Sequence, residues 1–469
     1  MPGVRHVSRI EASPEELFRW HARPGALERL LPPWEPVRLL HREEGLRDGA
    51  RVHLELRWGP WRRRWVAVHR DCEEGRQFAD EQAVGPFRRW VHVHRFLPAP
   101  GGCFLEDDLA YELPFSPLAE SLLGGVVRRR LLRMLRWRHR RTARDLARHA
   151  AYGERPALRV AITGASGLVG SELTAFLRSG GHRVDPLVRR RPRPGTTEIR
   201  WSPASGFVDA AALEGVDAVV HLAGENLFAL GWTPGKKLRI RQSRVAGTRL
   251  LAETLAGLRH PPRVLVSASA VGYYGSRGTE WLPEEAGPGN GFLAELCRDW
   301  EVAVAPAEAA GIRVVRPRIG IVLTPRGGAL RTMLPAFRAG LGAVLGDGEQ
   351  YVSWIGLDDL VGVIHRSLWD ERLRGPLNAV SPAPVTNREL SRTLGRVLGR
   401  PVLLRAPTAV LRLALREMAE ETFLTSTRAR PSALQAREFS FLAPGLEEAL
   451  RWEMGRPAEP TATGVEGGG

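Results

Sequence analysis

Lysine is almost missing from this chain of 469 residues, although the chain is strongly basic. Only Lys236 and Lys237 occur, so nearly all of the 68 basic residues are arginine, and the formal net charge is +16. This skew indicates a GC-rich coding bias rather than a surface for nucleic acid. The arginines are scattered along most of the chain, and none of the usual nucleic-acid-binding motifs is present. We therefore expect no nucleic acid among the partners.

Cysteine and long apolar runs are also scarce. The three cysteines, Cys72, Cys103 and Cys297, are far apart and show neither metal-ligand nor redox spacing, which is typical of a reducing compartment. No uncharged apolar run approaches about 18 residues, and the N-terminus carries charges without an apolar core. The sequence therefore predicts no metal site, no membrane span and no signal peptide, and it favours a cytoplasmic protein.

The length indicates more than one domain, because a chain of this size usually holds two or three. Gly153 and Pro156 mark a linker, and the C-terminal end has few apolar residues to bury. The predicted segments are a domain over 1–150, a linker over 151–157, a second domain over 158–380, a cap segment over 381–454 and a disordered tail over 455–469.

The first domain shows a helix, then β-like segments, then a long helix. Ser13 and Pro14 predict the start of the short helix, as cap and first-turn residue. Gly-Pro turns separate the β-like segments, which are 51–58, 64–70, 77–83, 88–96 and 103–112. The long helix is predicted over 118–149 and carries ten arginines. It is interpreted either as a solvated face or as a basic surface for an anionic membrane or an acidic partner.

This order of elements, with the motifs Phe18-Arg19-Trp20 and Gly85-Pro86-Phe87, resembles the START-like family (SRPBCC, polyketide cyclase/dehydrase). The resemblance implies a helix-grip fold, in which the sheet wraps around the long helix and an apolar ligand lies between them. The alternative is a closed aromatic core without a ligand.

A glycine turn opens the second domain. It lies at 163–170, after an apolar run at 158–162 and before an amphipathic run that ends at Ser179. In the order strand, glycine turn, helix, the backbone approaches a pyrophosphate and the helix N-terminus favours its charge. The cofactor contacts predicted in this turn are Thr163, Gly164, Ser166, Gly167, Leu168, Val169 and Gly170.

The end of the next strand, 183–188, indicates which dinucleotide binds. NAD sites usually place an acid there for the ribose hydroxyls, whereas guanidinium groups can pair with a 2′-phosphate. This strand is followed by Arg189 and Arg190, while Asp185 lies earlier in the strand, where a ribose contact is disfavoured. The sequence therefore favours NADP over NAD. The alternative is that these arginines are only solvated.

Strand-like and helix-like segments alternate through the second domain. The predicted strands are 159–163, 183–188, 218–222, 263–267 and 312–315. Such alternation indicates a doubly wound parallel sheet with helices on both faces. The predicted fold class is an α/β Rossmann domain with a small C-terminal cap, preceded by an α+β helix-grip domain.

Further motifs follow the glycine turn in a fixed order, at 221–226, 243–248, 267–275, 291–301, 352–359 and 378–382. With them, 158–454 resembles the extended short-chain dehydrogenase/reductase superfamily. The narrower resemblance is to its atypical epimerase-family branch (nucleoside-diphosphate-sugar epimerase-like) with a DUF1731-type C-terminal segment. The resemblance implies a nicotinamide cofactor and a small carbonyl or alcohol substrate. The cofactor contacts predicted after the third strand are Leu222, Ala223, Gly224 and Glu225.

The resemblance also implies a catalytic Ser and a Tyr-x-x-x-Lys pair on one helix. Ser269 matches the Ser, but Leu293 and Cys297 stand where the Tyr and the Lys would lie. Tyr273 or Tyr274 is predicted as the replacement acid. The alternative is that both tyrosines only pack against the cofactor or the substrate cleft. Without the Lys, bringing a tyrosine pKa from about 10 to about 7 needs roughly 4 kcal/mol.

Other residues near the cleft have weaker signals. His221 is interpreted mainly as a satisfied strand-end histidine. Trp354, Asp358 and Asp359 are predicted to open the C-terminal substrate segment, with Asp359 as a cap of the next helix.

Two functions follow from the sequence. The first is an NADP-dependent oxidoreductase or epimerase-like enzyme, with an N-terminal domain that binds an apolar ligand. The second is a non-catalytic NADP-binding sensor or scaffold, whose N-terminal domain binds a lipid or a partner. A homodimer is left open.

Overall fold

The computed structural model describes residues 3–114, 118–227 and 231–456. Within these ranges, an antiparallel sheet with a long helix comes first and a parallel sheet with helices on its faces follows. The predicted fold class is confirmed in both parts. None of the described helices is long and apolar enough to cross a membrane.

The N-terminal domain is an antiparallel sheet that packs on one long helix. Its described elements are β1 (Gly3–Ile10), α1 (Pro14–Ala22), α2 (Ala26–Leu30), β2 (Val37–Arg42), β3 (Arg51–Trp58), β4 (Trp61–Glu73), β5 (Gln77–Val84), β6 (Arg89–Ala99), β7 (Gly102–Glu112) and α3 (Leu118–Ala150). The strands lie in the order β1-β7-β6-β5-β4-β3-β2. As predicted, Ser13 Oγ accepts the Glu16 N–H at the start of α1, at 3.1 Å. The sequence did not predict β1, because His6 and Ser8 interrupt its apolar alternation.

The second domain is built on a parallel sheet. Its described elements are β8 (Arg159–Thr163), α4 (Leu168–Ser179), β9 (Arg183–Val188), β10 (Ile199–Ser202), β11 (Phe207–Val208), α5 (Ala210–Leu213), β12 (Ala218–His221), α6 (Pro234–Arg241), α7 (Gly247–Ala256), β13 (Val264–Ser267), β14 (Ser269–Ala270), β15 (Trp281–Leu282), α8 (Phe292–Val302), α9 (Ala305–Ala309), β16 (Arg313–Ile319), β17 (Ile321–Leu323), α10 (Gly328–Arg338), β18 (Ala343–Leu345), β19 (Tyr351–Val352), β20 (Trp354–Gly356), α11 (Leu357–Trp369) and β21 (Gly375–Ala379). The parallel order is β10-β9-β8-β12-β13-β16-β21. The order reverses between β8 and β12, and ligands of such sheets bind at this point.

The C-terminal segment packs beside this sheet. Its described elements are β22 (Val385–Thr386), α12 (Asn387–Leu398), β23 (Leu404–Ala406), α13 (Thr408–Leu415), β24 (Arg428–Ala429), α14 (Ser432–Gln435) and α15 (Leu446–Glu453). Its short strands pair with β19, β18 and β15, so it completes a substructure begun by the second domain. Of the tail predicted to be disordered, Gly455 and Arg456 are placed: Arg456 donates to the Val397 carbonyl at 2.6 Å. The rest of that tail, 457–469, lies outside the described residues.

A buried ion-pair network joins the two domains. Arg29 of α2 is 1% exposed and donates to both oxygens of Asp145, at 2.6 and 2.7 Å. Its guanidinium also donates to Glu172 of α4 at 2.8 Å and to Asp358 of α11 at 3.2 Å. One arginine therefore holds carboxylates from α3, α4 and α11, and α4 is the helix that follows the glycine turn.

The arginines of α3 divide into two groups. Arg128 and Arg129 are exposed, but Arg141 is buried and contacts Asp358. Arg148 pairs with Asp359 at 2.9 Å, and the Arg144 guanidinium carbon lies 4.2 Å from the centroid of the Trp452 ring. Of the interpretations that the sequence left open, a solvated face or a membrane-binding surface is therefore wrong for Arg141, Arg144 and Arg148. The C-terminal half of α3 docks on the second domain.

The interface also corrects the prediction for Trp354, Asp358 and Asp359. Trp354 is fully buried in a core cluster, and Asp358 belongs to the ion-pair network. Asp359 does not cap α11; its two carboxylate oxygens accept the N–H groups of Leu442 and Ala443, at 2.7 and 3.2 Å. These residues hold the domains and the C-terminal segment together and do not open a substrate cleft.

Candidate functional site

The glycine turn between β8 and α4 has the geometry of a pyrophosphate site. Gly164 has φ +69°, and a Cβ there would lie 2.9 Å from the carbonyl carbon of Leu222. A Cβ on Gly170 would lie 2.2 Å from the Gly164 carbonyl oxygen, so α4 can pack on the turn only with glycine at this position. Gly167 precedes the first residue of α4, where the helix N-terminus favours an anion. Ser166 is exposed beside it, and the next two predicted contacts, Leu168 and Val169, are half-buried in the first turn of α4.

Thr163 ties the turn to the end of β12. Its Oγ1 accepts the N–H groups of Leu222 and Ala223, at 3.1 and 3.2 Å. The same oxygen lies 2.7 Å from His221 Nδ1, and His221 Nε2 lies 2.9 Å from Thr248 Oγ1. Because both ring nitrogens have partners, His221 is a satisfied strand-end histidine. It holds Thr163 and Thr248 in place beside the glycine turn.

We expect His221 to make the folded state less stable in acid. Burial, reinforced by the Arg244 guanidinium, lowers its pKa to about 4 from the ordinary 6.5. The unfolded chain therefore binds this proton more readily. The contribution of His221 is fully present above pH 6.5 and is lost as the pH falls towards 4, by about 3 kcal/mol.

His221→Gln tests this in denaturant titrations at several pH values. The difference in free energy of unfolding between wild type and variant should shrink as the pH falls from neutral. His260→Gln, at an exposed histidine, should leave the pH dependence unchanged. A difference between wild type and His221→Gln that is constant with pH would contradict the assignment.

The charged side chains within β9 and directly after it have different partners. The Asp185 carboxylate is buried and pairs with Arg159 at 2.6 Å, and with a second arginine of its own strand. Arg190 pairs with Glu198 at 2.5 Å. Arg189 is exposed and makes no ion pair within the described ranges. Of the two predicted 2′-phosphate ligands, Arg189 is therefore the guanidinium that is free to bind one.

The strip 222–225 after β12 lies directly against the glycine turn. Arg244 donates to the Glu225 carbonyl at 3.0 Å, and a Cβ on Gly224 would lie 3.1 Å from the Arg244 guanidinium carbon. The Glu225 carboxylate accepts from Lys236 Nζ at 2.5 Å, and this bond lowers the pKa of Glu225. Gly224 therefore leaves room for Arg244, and Glu225 is held by Lys236.

The three predicted catalytic residues share one buried arginine–glutamate pair. Ser269 Oγ donates to Glu301 Oε1 at 2.7 Å. Arg318 donates to both Glu301 oxygens, at 2.8 and 2.9 Å, and to Tyr274 Oη at 2.9 Å. The Arg318 guanidinium carbon also lies 3.6 Å from the ring centroid of Tyr273. The structure thus brings Ser269, Tyr273 and Tyr274 together.

The two tyrosines differ in their surroundings. Tyr274 is fully buried, and its Oη lies 2.8 Å from Asn378 Oδ1 and 3.1 Å from the Pro283 carbonyl oxygen. Burial raises its pKa to about 12. Tyr273 is only half-buried, and its hydroxyl has no hydrogen bond within the described part of the chain. Of the two, Tyr273 is the one that can meet a substrate oxygen.

Helix α8 packs against the turn that carries both tyrosines. A Cβ on Gly272 would lie 3.4 Å from Leu293 Cβ and 3.9 Å from Cys297 Sγ. Burial raises the pKa of the Cys297 thiol to about 12. Glu421 of the C-terminal segment accepts the N–H groups of Phe292 and Leu293, at 3.1 and 3.0 Å, and so caps the helix. An apolar residue and a neutral thiol thus stand where the Tyr-x-x-x-Lys pair would lie.

Sequence reasoning missed the part played by Arg318 and Glu301. The sequence signal was an arginine within a buried strand, because Arg318 lies in β16 in the middle of a parallel sheet. A buried arginine nearly always has a carboxylate partner. Glu301 lies in one of the motifs noted above, on the helix that faces Ser269.

The N-terminal domain has a partly open hollow at the β2 edge of its sheet. A cavity of about 190 Å³ lies at β2, β3 and β4 and is lined by Leu40, His41, His53, Leu54, Arg64, Trp65 and Val66. Pockets for drug-sized ligands usually have about 300–1,000 Å³. The cavity therefore suits a small ligand.

Both domains match models of known protein families. The family model of polyketide cyclase/dehydrase and lipid transport matches 10–139, that of the NAD dependent epimerase/dehydratase family matches 160–375, and DUF1731, a domain of unknown function, matches 406–453. An epimerase family protein of Mycobacterium bovis is 45% identical over 298 residues, which cover 64% of this chain and 98% of that protein. The chain belongs to the epimerase family.

Solved structures extend this family assignment to the whole molecule. A nucleoside-diphosphate sugar epimerase from Corynebacterium glutamicum is 35% identical with a TM-score of 0.79, covering 97% of this chain and 91% of its own. Human epimerase family protein SDR39U1, solved with NADPH, is 32% identical with a TM-score of 0.58, covering 63% of this chain and 99% of its own. The arrangement of both domains is thus similar to that of a known epimerase-family structure.

Proposed function

We propose that this epimerase-family chain is an NADP-dependent oxidoreductase that acts on a small carbonyl or alcohol substrate. The observation that carries the proposal is the glycine turn with an unpaired Arg189 beside it, where Asp185 is already held by arginines. The human relative solved with NADPH supports this choice of cofactor. The residues present fit the cofactor, because Gly164 and Gly170 let the turn pack closely on Leu222 and on α4, and the N-terminus of α4 after Gly167 favours a pyrophosphate.

The bound nicotinamide would supply or accept hydride, and the side chains near Ser269 would handle the substrate oxygen. The Ser269 hydroxyl donates its hydrogen bond to Glu301, so its oxygen can accept a hydrogen bond from a substrate hydroxyl. Tyr273 would pass a proton to or from the substrate oxygen. The Arg318 cation over its ring stabilises the negative charge that the phenol gains when it gives up that proton. This arrangement would replace part of the missing lysine's role.

A second function is a non-catalytic NADP-binding sensor or scaffold. Leu293 and Cys297 occupy the positions of the usual acid and base, which favours this alternative. In addition, Glu172 of the cofactor-binding helix α4 contacts Arg29 of the N-terminal domain at 2.8 Å. Cofactor in the glycine turn would then lie one helix away from the domain interface. Turnover of a carbonyl substrate separates the two functions.

The N-terminal domain would bind a small apolar ligand. The match to the polyketide cyclase and lipid transport model supports this, and so does the cavity of about 190 Å³ with Leu40, Leu54 and Trp65 in its wall.

We expect Arg189→Ala to weaken NADPH binding by about 10- to 100-fold and to leave NADH binding unchanged, because only NADPH carries the 2′-phosphate. Titration of the purified chain with each nucleotide, followed by tryptophan fluorescence, measures both affinities. Arg259→Ala is the control, since Arg259 is exposed before the amino end of β13. Equal losses for both nucleotides would contradict the role of Arg189. No binding of either nucleotide by the wild type would overturn the proposed function.

A further inference from the structure

The N-terminal domain contains a cluster of imidazoles and carboxylates that the proposed function does not use. Asp80 of β5 lies opposite His92 of β6, and His94 lies opposite Asp107 of β7. His139 of α3 reaches this cluster, with Nε2 3.1 Å from Asp107 Oδ2, so the side chains lie between the sheet and the long helix. Asp107 and the three histidines are buried, whereas the Asp80 side chain is 23% exposed.

The distances in the cluster are those of metal ligands. One ligand atom from each of Asp80, His92 and His94 lies within 4.8 Å of those of the other two. His94 Nε2 and Asp80 Oδ2 are 3.4 Å apart, which is long for a hydrogen bond. Two ligands at about 2.0–2.1 Å from a tetrahedral ion are about 3.3 Å apart. A small inward movement of the side chains would therefore bring all three ligand atoms to bonding distance of one ion, with a fourth position open to water.

Other side chains hold these groups from behind. His94 Nδ1 lies 2.6 Å from Asp107 Oδ1, and a neutral His94 that donates there would present the lone pair of Nε2 towards Asp80. His69 Nδ1 lies 2.7 Å from Asp80 Oδ1, the oxygen that does not face His94. A carboxylate behind a histidine is the usual support of a metal ligand, since it fixes the tautomer and the ring orientation.

Several ring nitrogens of the cluster make no hydrogen bond in the described structure, among them His92 Nε2 and both ring nitrogens of His139. His92 is 2% exposed, and its Nε2 makes no hydrogen bond in the described structure. The closest recorded carboxylate oxygen, Asp107 Oδ2, is 3.5 Å away. A buried nitrogen without a partner costs about 1–3 kcal/mol, and an ion that accepts its lone pair would remove that cost.

We propose that Asp80, His92 and His94 bind a divalent transition-metal ion such as Zn²⁺, with Asp107 and His69 as positioning residues. Two imidazoles and one carboxylate form a donor set that suits these ions. The ion would also offset the negative charge of Asp80 and of the buried Asp107. The proposal goes beyond the NADP-dependent function and does not depend on it.

A second histidine cluster of similar size does not fit a metal. His149, His182 and His365 also bring ligand atoms within 4.8 Å of one another. However, His182 Nδ1 accepts the N–H of Leu158 at 3.1 Å, and His365 Nε2 accepts the indole N–H of Trp369 at 3.1 Å. A neutral imidazole has one lone pair, so the other nitrogen of each ring carries hydrogen and cannot bind a metal. This cluster supplies the matched control.

The test uses the full chain without an affinity tag, first stripped with a chelator. Zn²⁺ is titrated in competition with a chromophoric chelator, and Co²⁺ is followed by its visible absorption. We expect one equivalent of Zn²⁺ and a Co²⁺ band that Zn²⁺ displaces. Asp80→Asn and His92→Gln should each weaken Zn²⁺ binding by at least about 100-fold, and Asp107→Asn by about 10- to 100-fold with a shifted Co²⁺ band. His365→Gln should bind like the wild type.

Circular dichroism and NADPH titration show whether each variant is folded, and neither depends on the ion. Where a variant does not fold, the presence or absence of the Co²⁺ band in the wild type tests the proposal. The proposal is overturned by a wild type that binds neither Zn²⁺ nor Co²⁺, or by an Asp80→Asn/His92→Gln chain that binds them as the wild type does. Loss of binding in His365→Gln alone would place the ion in the other cluster and also overturn it. Failure of NADPH binding with normal Zn²⁺ binding would refute only the proposed function.

Discussion

Replacing Arg29 with methionine is expected to lower the free energy of unfolding by about 3–5 kcal/mol. The guanidinium is 1% exposed and makes charge-assisted hydrogen bonds to Asp145, Glu172 and Asp358. Methionine fills a similar volume but supplies no donor. Asp145 would then lose the guanidinium of its recorded ion pair, while Asp358 and Glu172 keep contacts to Arg141 and Arg326. Burial of an unpaired carboxylate is much more costly than loss of an exposed ion pair.

Unfolding of Arg29→Met is measured by denaturant titration with tryptophan fluorescence, since Trp137 and Trp452 pack together across the interface, with ring centroids 5.3 Å apart. Arg128→Met is the matched control, because Arg128 is exposed on α3 and a change there should stay within about 0.5 kcal/mol. A loss below about 1 kcal/mol for Arg29→Met would show that Arg141 is sufficient to compensate the carboxylates. The network would then not depend on Arg29.

The sequence did not reveal this interface because its partners are far apart in the chain. Arg29 and Asp358 are separated by 329 positions, and Arg29 and Glu172 by 143. No local pattern connects them. The arginines of α3 read locally as a solvated or membrane-facing surface. In the folded chain, Arg141 and Arg148 instead contact carboxylates of the second domain, and only tertiary packing brings these groups together.

Local motifs predicted what depends on neighbours in the chain. The glycine turn needs only a strand, three glycines and a helix start, all within 159–179, and the structure has this unit where it was expected. The cluster around Ser269 was only partly predicted. Ser269 and the two tyrosines were found from the resemblance, but the Arg318–Glu301 pair that connects them comes from two different elements, β16 and α8.

The cluster of Asp80, His92 and His94, proposed above as a metal site, shows the same limit. The sequence has no closely spaced ligand motif that includes Asp80, and alternate residues His92 and His94 look like one face of an ordinary strand. Only the pairing of β5, β6 and β7 places Asp80 and Asp107 beside these two histidines. Cysteine spacing in the sequence carries no information about such a cluster.

Tyr273→Phe and Tyr274→Phe are expected to have different effects although the residues are adjacent. Tyr273→Phe should lower kcat by about 10²- to 10⁴-fold, the usual contribution of a general acid, with NADPH affinity and stability unchanged. Tyr274→Phe should instead lower the free energy of unfolding by about 1–3 kcal/mol, because Asn378 and Arg318 lose a buried partner.

The measurement is NADPH oxidation with any carbonyl compound that the wild type reduces, next to denaturant titrations of all three chains. Each variant is the control of the other, since both remove one hydroxyl from the same turn. Full turnover in Tyr273→Phe would show that another group donates the proton. Ser269, which is hydrogen-bonded to Glu301, would then be the next residue to substitute. A wild type that binds NADPH tightly but reduces no carbonyl would favour the sensor. The Arg318 cation over Tyr273 would then serve only to pack the cleft.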